Sequence, residues 1–224
     1  MRCALIRGLR MTPLLSPPVM ALCDVTHDLT NQGFHMCPSA HHTAIFQPKN
    51  HLLHPPPDEV ALSGADTHWL RQAFVWANAA RLRGNRPFGA MVVAQDGRIL
   101  AEAFSNTWET GDSTGHAEMN CVRQIGMARV SAELLASATL YASAQPCAMC
   151  AGAICAAGLQ RVVFGLDVER LYGIAPNLRP NHITCFDIFS QNREAVDCVG
   201  PCLVQEALAV YEDSWLSPSS SSEE

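Results

Sequence analysis

A three-layer α/β/α sandwich built on a mixed five-stranded sheet is predicted for residues 65–216 of this 224-residue chain. Three observations carry that prediction. Two strand-like runs, Phe88 to Ala94 and Arg98 to Phe104, are joined by Asp96-Gly97, a strong hairpin signal. Two further apolar strands, Thr139 to Ala144 and Arg161 to Gly165, each lie between helical stretches. Strands that alternate with helices after an antiparallel hairpin point to a mixed sheet covered on both faces.

Taken in order, Asp66 or Thr67 can cap a first helix that runs to about Arg83. On it Trp69, Ala73, Trp76, Ala77 and Ala80 form one apolar face, read as core. Gly84-Asn-Arg-Pro87 breaks that helix ahead of the hairpin. After a loop from Ser105 to Thr114, a second helix starts near His116 and ends near Met127, with Asp112, Ser113 or Thr114 available as its cap. The strand ending at Ala144 leads through Gln145-Pro146 into a small-residue helix from Cys147 to Ala157, stopped by Gly158. Val168 to Tyr172 forms a helical turn, Pro176 and Pro180 bound a loop, and His182 to Phe189 is either a short helix or extended. Ala195 to Val199 supplies the last strand and Gln205 to Trp215 a closing helix.

Outside this stretch, residues 1–64 carry three consecutive prolines, six of the nine histidines and no sustained period, and are expected to form a disordered leader. The irregular spacing of those histidines reads as polar leader rather than metal site. Residues 217–224 are a solvated serine and acid tail. Arg2, Arg7 and Arg10 precede an apolar run, but Pro13, Pro17 and Pro18 interrupt it and no small-x-small cleavage site follows, against a signal peptide.

The formal net charge is -6, and no block of Lys or Arg forms a phosphate-binding stripe, which disfavours polyanionic partners. Ten cysteines without regular spacing argue for a reducing, cytoplasmic location over a disulfide framework. No apolar run reaches the 18 or so residues of a membrane span.

The chemistry is concentrated between Gly115 and Cys150. His116-Ala-Glu118 opens one predicted helix and Pro146-Cys147-Ala-Met-Cys150 opens another. Cysteines three residues apart share a helix face, and the positive end of the helix dipole favours their thiolates. Zinc takes thiolate and imidazole readily, and three protein ligands, His116, Cys147 and Cys150, leave its fourth position to water. Glu118, two residues past the imidazole, is placed to take a proton from that water and return it to a ring nitrogen and a leaving amine. The predicted reaction is hydrolytic deamination. Either half alone is weak, since Cys-x-x-Cys also occurs in redox and structural zinc sites.

These residues, with Leu140-Tyr-Ala-Ser-Ala-Gln-Pro-Cys-Ala-Met-Cys-Ala-Gly-Ala-Ile154, Arg86-Pro-Phe-Gly-Ala90 and Arg161-Val-Val-Phe-Gly165, resemble the cytidine deaminase-like superfamily over Asp66 to Trp215. The branch they resemble holds guanine deaminases, fungal-type cytosine deaminases and tRNA adenosine deaminases. The resemblance implies one zinc per chain on His116, Cys147 and Cys150, Glu118 as proton shuttle, a substrate contact from Asn106, and a homodimer. Gly115 stands where alanine is usual and Gln145 where glutamate often stands.

Backbone N–H groups of Ala117 and Cys147 are further candidates for substrate binding. Substrate choice is expected to reside in Phe88, Asn106, the Val168 to Asn192 segment and the C-terminal helix, where Tyr211 and Trp215 either cap a small-base pocket or pack as core. Asp167 and Glu169 read as solvated surface ahead of a second catalytic acid. Cys198 and Cys202 read as packed core ahead of a second metal or redox pair, and Cys121 and Cys155 as core. The expected substrate is a free nucleobase or nucleoside, guanine before cytosine. A tRNA adenosine is the alternative, disfavoured by charge, and an inactive zinc-stabilised interaction module is the alternative of another class.

Overall fold

The computed structural model describes residues 59–175, Leu178 and residues 183–211, all within a compact unit spanning Asn50–Glu224. The leader up to residue 58, the 217–224 tail, His182 and Trp215 lie outside the described residues. The described residues begin ahead of the expected boundary at Ala65. Val60 N–H donates to the Pro201 carbonyl at 2.8 Å, and Glu59 Oε1 accepts from Val204 N–H at 3.3 Å.

The elements run α1 (Gly64–Leu82), β1 (Gly89–Val93), β2 (Ile99–Phe104), α2 (Thr107–Thr110), α3 (Ala117–Met127), α4 (Ala132–Ser137), β3 (Thr139–Ala144), α5 (Ala148–Ala157), β4 (Arg161–Leu166), α6 (Val168–Ile174), α7 (Cys185–Ser190), β5 (Asp197–Val199) and α8 (Val204–Tyr211). The five-stranded sheet has the order β2-β1-β3-β4-β5. β1 is antiparallel to both β2 and β3, whereas β3, β4 and β5 run parallel. It is therefore mixed, as predicted. α7 settles the ambiguous stretch before Phe189 as a helix, held by a Thr184–Asp187 capping box. The short helices α2 and α4 were not expected, since a helix of four to six residues is too short to show a period.

Side chains on successive strand residues point to opposite faces, so a sheet covered on both sides is apolar at every position. β1 shows this, with Gly89 to Val93 all buried. Ala90 and Val92 join Leu140, Val162 and Phe164 in one core under α3, α5 and α7. Met91 and Val93 join Tyr141, Val163 and Leu166 in the other, under α1, α6 and α8. These two cores make the three layers.

The apolar face of α1 is turned from the expected one. Leu70, Ala73, Phe74, Ala77 and Ala80 are buried, while Trp69 and Trp76 are half-buried at the margins. Large rings do not fit where the helix lies closest to the sheet. A Cβ on Gly89 would stand 2.3 Å from the Ala73 carbonyl oxygen and 2.3 Å from the Ala77 nitrogen, so both surfaces must be small there. The hairpin also differs by one residue: Ala94 N–H donates to Arg98 O, leaving Gln95, Asp96 and Gly97 as a three-residue loop with Gly97 at φ 84°. A glycine in the left-handed region is what that loop length requires.

The cap of α1 is Ser63, whose hydroxyl accepts from Asp66 N–H at 3.1 Å. Asp66 does not cap the helix because its carboxylate is drawn into the fold. It accepts from the Tyr141 hydroxyl at 2.8 Å and from Arg161 at 2.8 and 3.1 Å, tying α1 to β3 and β4. Burial acts to raise the Asp66 pKa, but the hydrogen bonds from Arg161, Tyr141 and Ser63 outweigh it and hold the pKa below the usual value. A depressed carboxylate pKa contributes stability above its unfolded value of about 3.9, lost as pH falls toward the folded value. Asp66→Asn is therefore expected to cost about 2 kcal/mol at pH 7. Urea titration of both proteins across pH 7 to 3 checks it, the gap between them closing as pH drops below about 4. A gap of constant size would rule the ionised pair out as its source.

Candidate active site

His116 and Cys147 each occupy the N-cap of a helix, at φ -72°, ψ 154° and φ -72°, ψ 169°. An N-cap side chain ordinarily turns back to a backbone N–H of the first turn. Neither of these makes a capping bond; both turn instead toward the gap between α3 and α5. Asp112, expected as a possible cap of α3, closes the preceding turn, accepting from Thr114 N–H at 2.8 Å. Cys150, one turn into α5, completes the group from a fully buried position.

His116 Nδ1 lies 3.6 Å from the sulfur of Cys147 and 3.6 Å from that of Cys150. Tetrahedral zinc, with bonds of about 2.3 Å to sulfur and about 2.05 Å to nitrogen, sets a sulfur–nitrogen separation of about 3.6 Å. The donor set thus fits zinc in residue type and in spacing. Among the described residues, no fourth His, Cys, Asp or Glu lies within 4.8 Å of all three donors, so the set is the open kind found in catalytic centres.

Glu118 is 8% exposed, and its Oε2 accepts from Cys150 Sγ at 3.6 Å. Burial, reinforced by the charge of Cys147, pushes its carboxyl up to about 7. Cys147 moves oppositely. Hydrogen bonding with Cys150 and then with His116 favours its thiolate, which overcomes burial and brings Cys147 down to about 4. Sharing that bond, and buried, Cys150 is held well above its ordinary value. The His116 pKa is raised, chiefly by its bond to Cys147.

A cavity of about 410 Å³ opens over these groups, within the range of small-molecule sites. His116, Glu118 and Cys147 form its floor, and Phe88, Arg86 and Leu171 part of its wall. Phe88 is seated on Tyr211, with ring centroids 5.7 Å apart. The Tyr211 hydroxyl donates to Ser143 Oγ at 2.9 Å, and Gly89 N–H donates to the same oxygen at 3.0 Å. Tyr211 is fully buried, so it supports the cavity from behind as packed core. Gln145 joins the wall to α6: its amide oxygen accepts from Val168 N–H at 3.2 Å and its amide nitrogen donates to Cys185 Sγ at 3.5 Å.

Asn106 stands beside the cavity, whose wall is formed at this point by Ser105 and Thr107. Asn106 Oδ1 accepts from Asn120 at 3.0 Å. A Cβ on residue 115 would come within 2.4 Å of that oxygen, which gives Gly115 a reason to replace the usual alanine. Asp167, expected at the solvated surface, is instead buried: it caps α6 through Arg170 N–H at 2.9 Å and pairs with the Arg170 guanidinium. Glu169 is exposed. Cys198 and Cys202 do not pair with one another, because they pack into opposite cores, Cys198 at 4.0 Å from Cys185. From the sequence, Arg86 enters only as part of the Arg86-Pro-Phe-Gly-Ala90 motif and Leu171 only as part of the Val168 to Asn192 segment, neither with a role of its own. Neither belongs to a periodic face, and only the placement of α6 over the site brings them together.

Residues 63–166 match the family model described as the cytidine and deoxycytidylate deaminase zinc-binding region. The probable cytosine deaminase of Schizosaccharomyces pombe is 34% identical over 157 residues, which cover 69% of this chain and 94% of that protein. The chain belongs to the cytidine deaminase-like superfamily. A tRNA-specific adenosine deaminase of Buchnera aphidicola is 35% identical over 109 residues, 49% of this chain and 71% of that one. A solved structure from a study of A-to-I editing by tRNA:A34 deaminases superposes with a TM-score of 0.53 at 32% identity, covering 64% of this chain and 99% of the other. The guanine deaminase of Nitrosomonas europaea has the same fold, at a TM-score of 0.57 and 18% identity, over 73% of this chain and 94% of that one. This superfamily member is a zinc-dependent deaminase. No helix among its described residues is long and apolar enough to cross a membrane.

Proposed function

We propose that this deaminase acts on a free nucleobase or nucleoside, guanine ahead of cytosine, releasing ammonia. The observation that carries this is a cavity of about 410 Å³ in which Arg86 is the one Lys or Arg among the described lining residues. Arg71, Arg83, Arg98, Arg123, Arg161 and Arg170 are each paired with a carboxylate. Six of the ten arginines among the described residues are thereby paired, on a chain of net charge -6, which disfavours an RNA backbone. The names of the S. pombe and N. europaea relatives support a free base.

In this proposal His116, Cys147 and Cys150 hold one zinc, whose chemistry is to bring the pKa of a water near 7. Glu118 takes a proton from the attacking water and delivers it to the ring nitrogen beside the amine-bearing carbon. It then moves a proton to the amine, the C–N bond breaks, and a carbonyl and ammonia result. The N–H groups of Ala117 and Cys147 at two helix starts, with Phe88 and Asn106, orient the ring. We also expect a homodimer, on the strength of the superfamily resemblance, with light scattering as the check, and a cytoplasmic location, on the strength of the irregular cysteine spacing.

A tRNA adenosine remains the second reading, favoured by the B. aphidicola relative and the tRNA:A34 deaminase structure. Ammonia release measured across guanine, cytosine, adenine, their nucleosides and an anticodon stem-loop decides between them. Turnover of the stem-loop alone would reverse the substrate order.

A further inference from the structure

Arg86 is the cavity-lining residue that the mechanism leaves unused. Its Nε is buried and has no hydrogen-bond partner among the described residues. Glu109, next to Trp108 in the chain, is already taken by Arg83 and by Asn85 Nδ2 at 3.2 Å. The Arg86 guanidinium is stacked against a ring instead, 5.5 Å from the Trp108 centroid, a contact that fixes a cation without satisfying its N–H groups. An Nε without accessible surface cannot itself reach a ligand, so donation into the cavity falls to the terminal amino groups of the guanidinium, which make no hydrogen bond among the described residues.

The other polar groups of the wall are poorer candidates for binding an acceptor. Both ends of the Gln145 amide are engaged, by Val168 and by Cys185. Ser105, Thr107 and Tyr172 carry neutral hydroxyls. Among the described residues, Arg86 is the charged donor that borders a cavity floored by His116, Glu118 and Cys147.

We infer that Arg86 is a specificity-determining residue that donates to the exocyclic oxygen of the substrate ring, selecting amino-oxo bases over adenine. Guanine carries such an oxygen at C6 and cytosine at C2, each separated on the ring from the amine that leaves. Adenine has only ring nitrogens to offer besides its amine. Arginine is suited to this because its planar fork meets an in-plane carbonyl with a charge-assisted bond, as it does toward O6 and N7 of guanine in nucleic acids. A site built to bond a substrate group discriminates strongly against the analogue lacking it, since its own polar group is then left unpaired. The assignment rests on the free-base proposal and sharpens it to amino-oxo bases.

The test compares wild type with Arg86→Met, which keeps an unbranched apolar stem, and Arg86→Lys, which keeps the charge. Substrates are used in pairs that differ by the oxygen alone: guanine against 2-aminopurine, and cytosine against 4-aminopyrimidine. Arg86→Met is expected to lower kcat/KM for the oxo base by about 10- to 100-fold and for its oxygen-free partner less than 3-fold, with Arg86→Lys in between. Equilibrium dialysis of the unreactive pair xanthine and 2-hydroxypurine gives a readout without turnover, and the affinity preference for xanthine is expected to shrink in Arg86→Met. Thermal melting of each zinc-loaded variant confirms folding, and Arg86→Lys carries the comparison if Arg86→Met does not fold. Free-base turnover with equal losses on both members of a pair would overturn the role of Arg86 and leave the free-base proposal standing. Turnover of the anticodon stem-loop with none of any base would overturn both.

Discussion

Glu118→Ala is expected to retain one zinc per chain and to lower kcat for ammonia release by about 10²- to 10⁴-fold, the usual range for removing a positioned acid–base group. Retention follows from the donor geometry. His116 Nδ1 and the sulfurs of Cys147 and Cys150 lie close enough to one another to hold the ion without the carboxylate, which accepts a hydrogen bond from the Cys150 sulfur. Loss of turnover follows from position: Glu118 is buried in the cavity floor, with no other carboxylate among the described residues of the cavity wall to replace it. Folding should not suffer, because the site already penalises the charged form of this carboxyl by burial and by the neighbouring Cys147 charge. Metal analysis, melting and steady-state kinetics on one preparation test all three parts. An active, zinc-loaded Glu118→Ala protein would refute the base assigned here.

Cys147→Ala separates metal binding from chemistry in the opposite direction. It should lose zinc and turnover together, since His116 and Cys150 alone cannot complete a three-donor set. Stability should fall as well. Cys147 starts α5 and His116 starts α3, helices joined through the metal donors although 31 residues separate the two. A ligand bound only by the folded state stabilises by about 4 kcal/mol when its free concentration is a thousandfold above Kd, or roughly 10 °C in Tm for a chain of this size. Added chelator should thus lower the Tm of wild type toward that of Cys147→Ala and leave the variant unmoved. Zinc bound one per chain in Cys147→Ala would remove this cysteine from the ligand set.

How much of the site could be read from the chain depends on how local each requirement is. His116, Glu118, Cys147 and Cys150 are legible because their spacing within two helix starts already determines which side chains can converge. The strands are legible because full burial demands apolar residues at every position, as in Gly89 to Val93. Asp66 shows the limit. By sequence it is a helix cap, yet Arg161 and Tyr141, 95 and 75 residues away, draw it inward and leave the cap to Ser63. Asp167 likewise leaves the solvent for a buried cap on α6, and Cys198 and Cys202, four residues apart, end in separate cores because β5 and the start of α8 face different layers.

By itself, then, the sequence determined the layered sheet and the convergence of the metal-type donors with Glu118, the proposed acid–base group, because each is set by short-range spacing or by a repeating pattern of burial. Only the tertiary structure decided the walls of the cavity. Arg86 before β1, Phe88 on the buried Tyr211 of α8, and Leu171 of α6 reach the same space only when the parallel pair β3 and β4 places α6 over the site. No local rule relates residues so far apart in the chain. Whether an arginine finds a carboxylate, as Arg83 does, or stays open to a substrate, as Arg86 does, depends on which surfaces meet when the sheet closes.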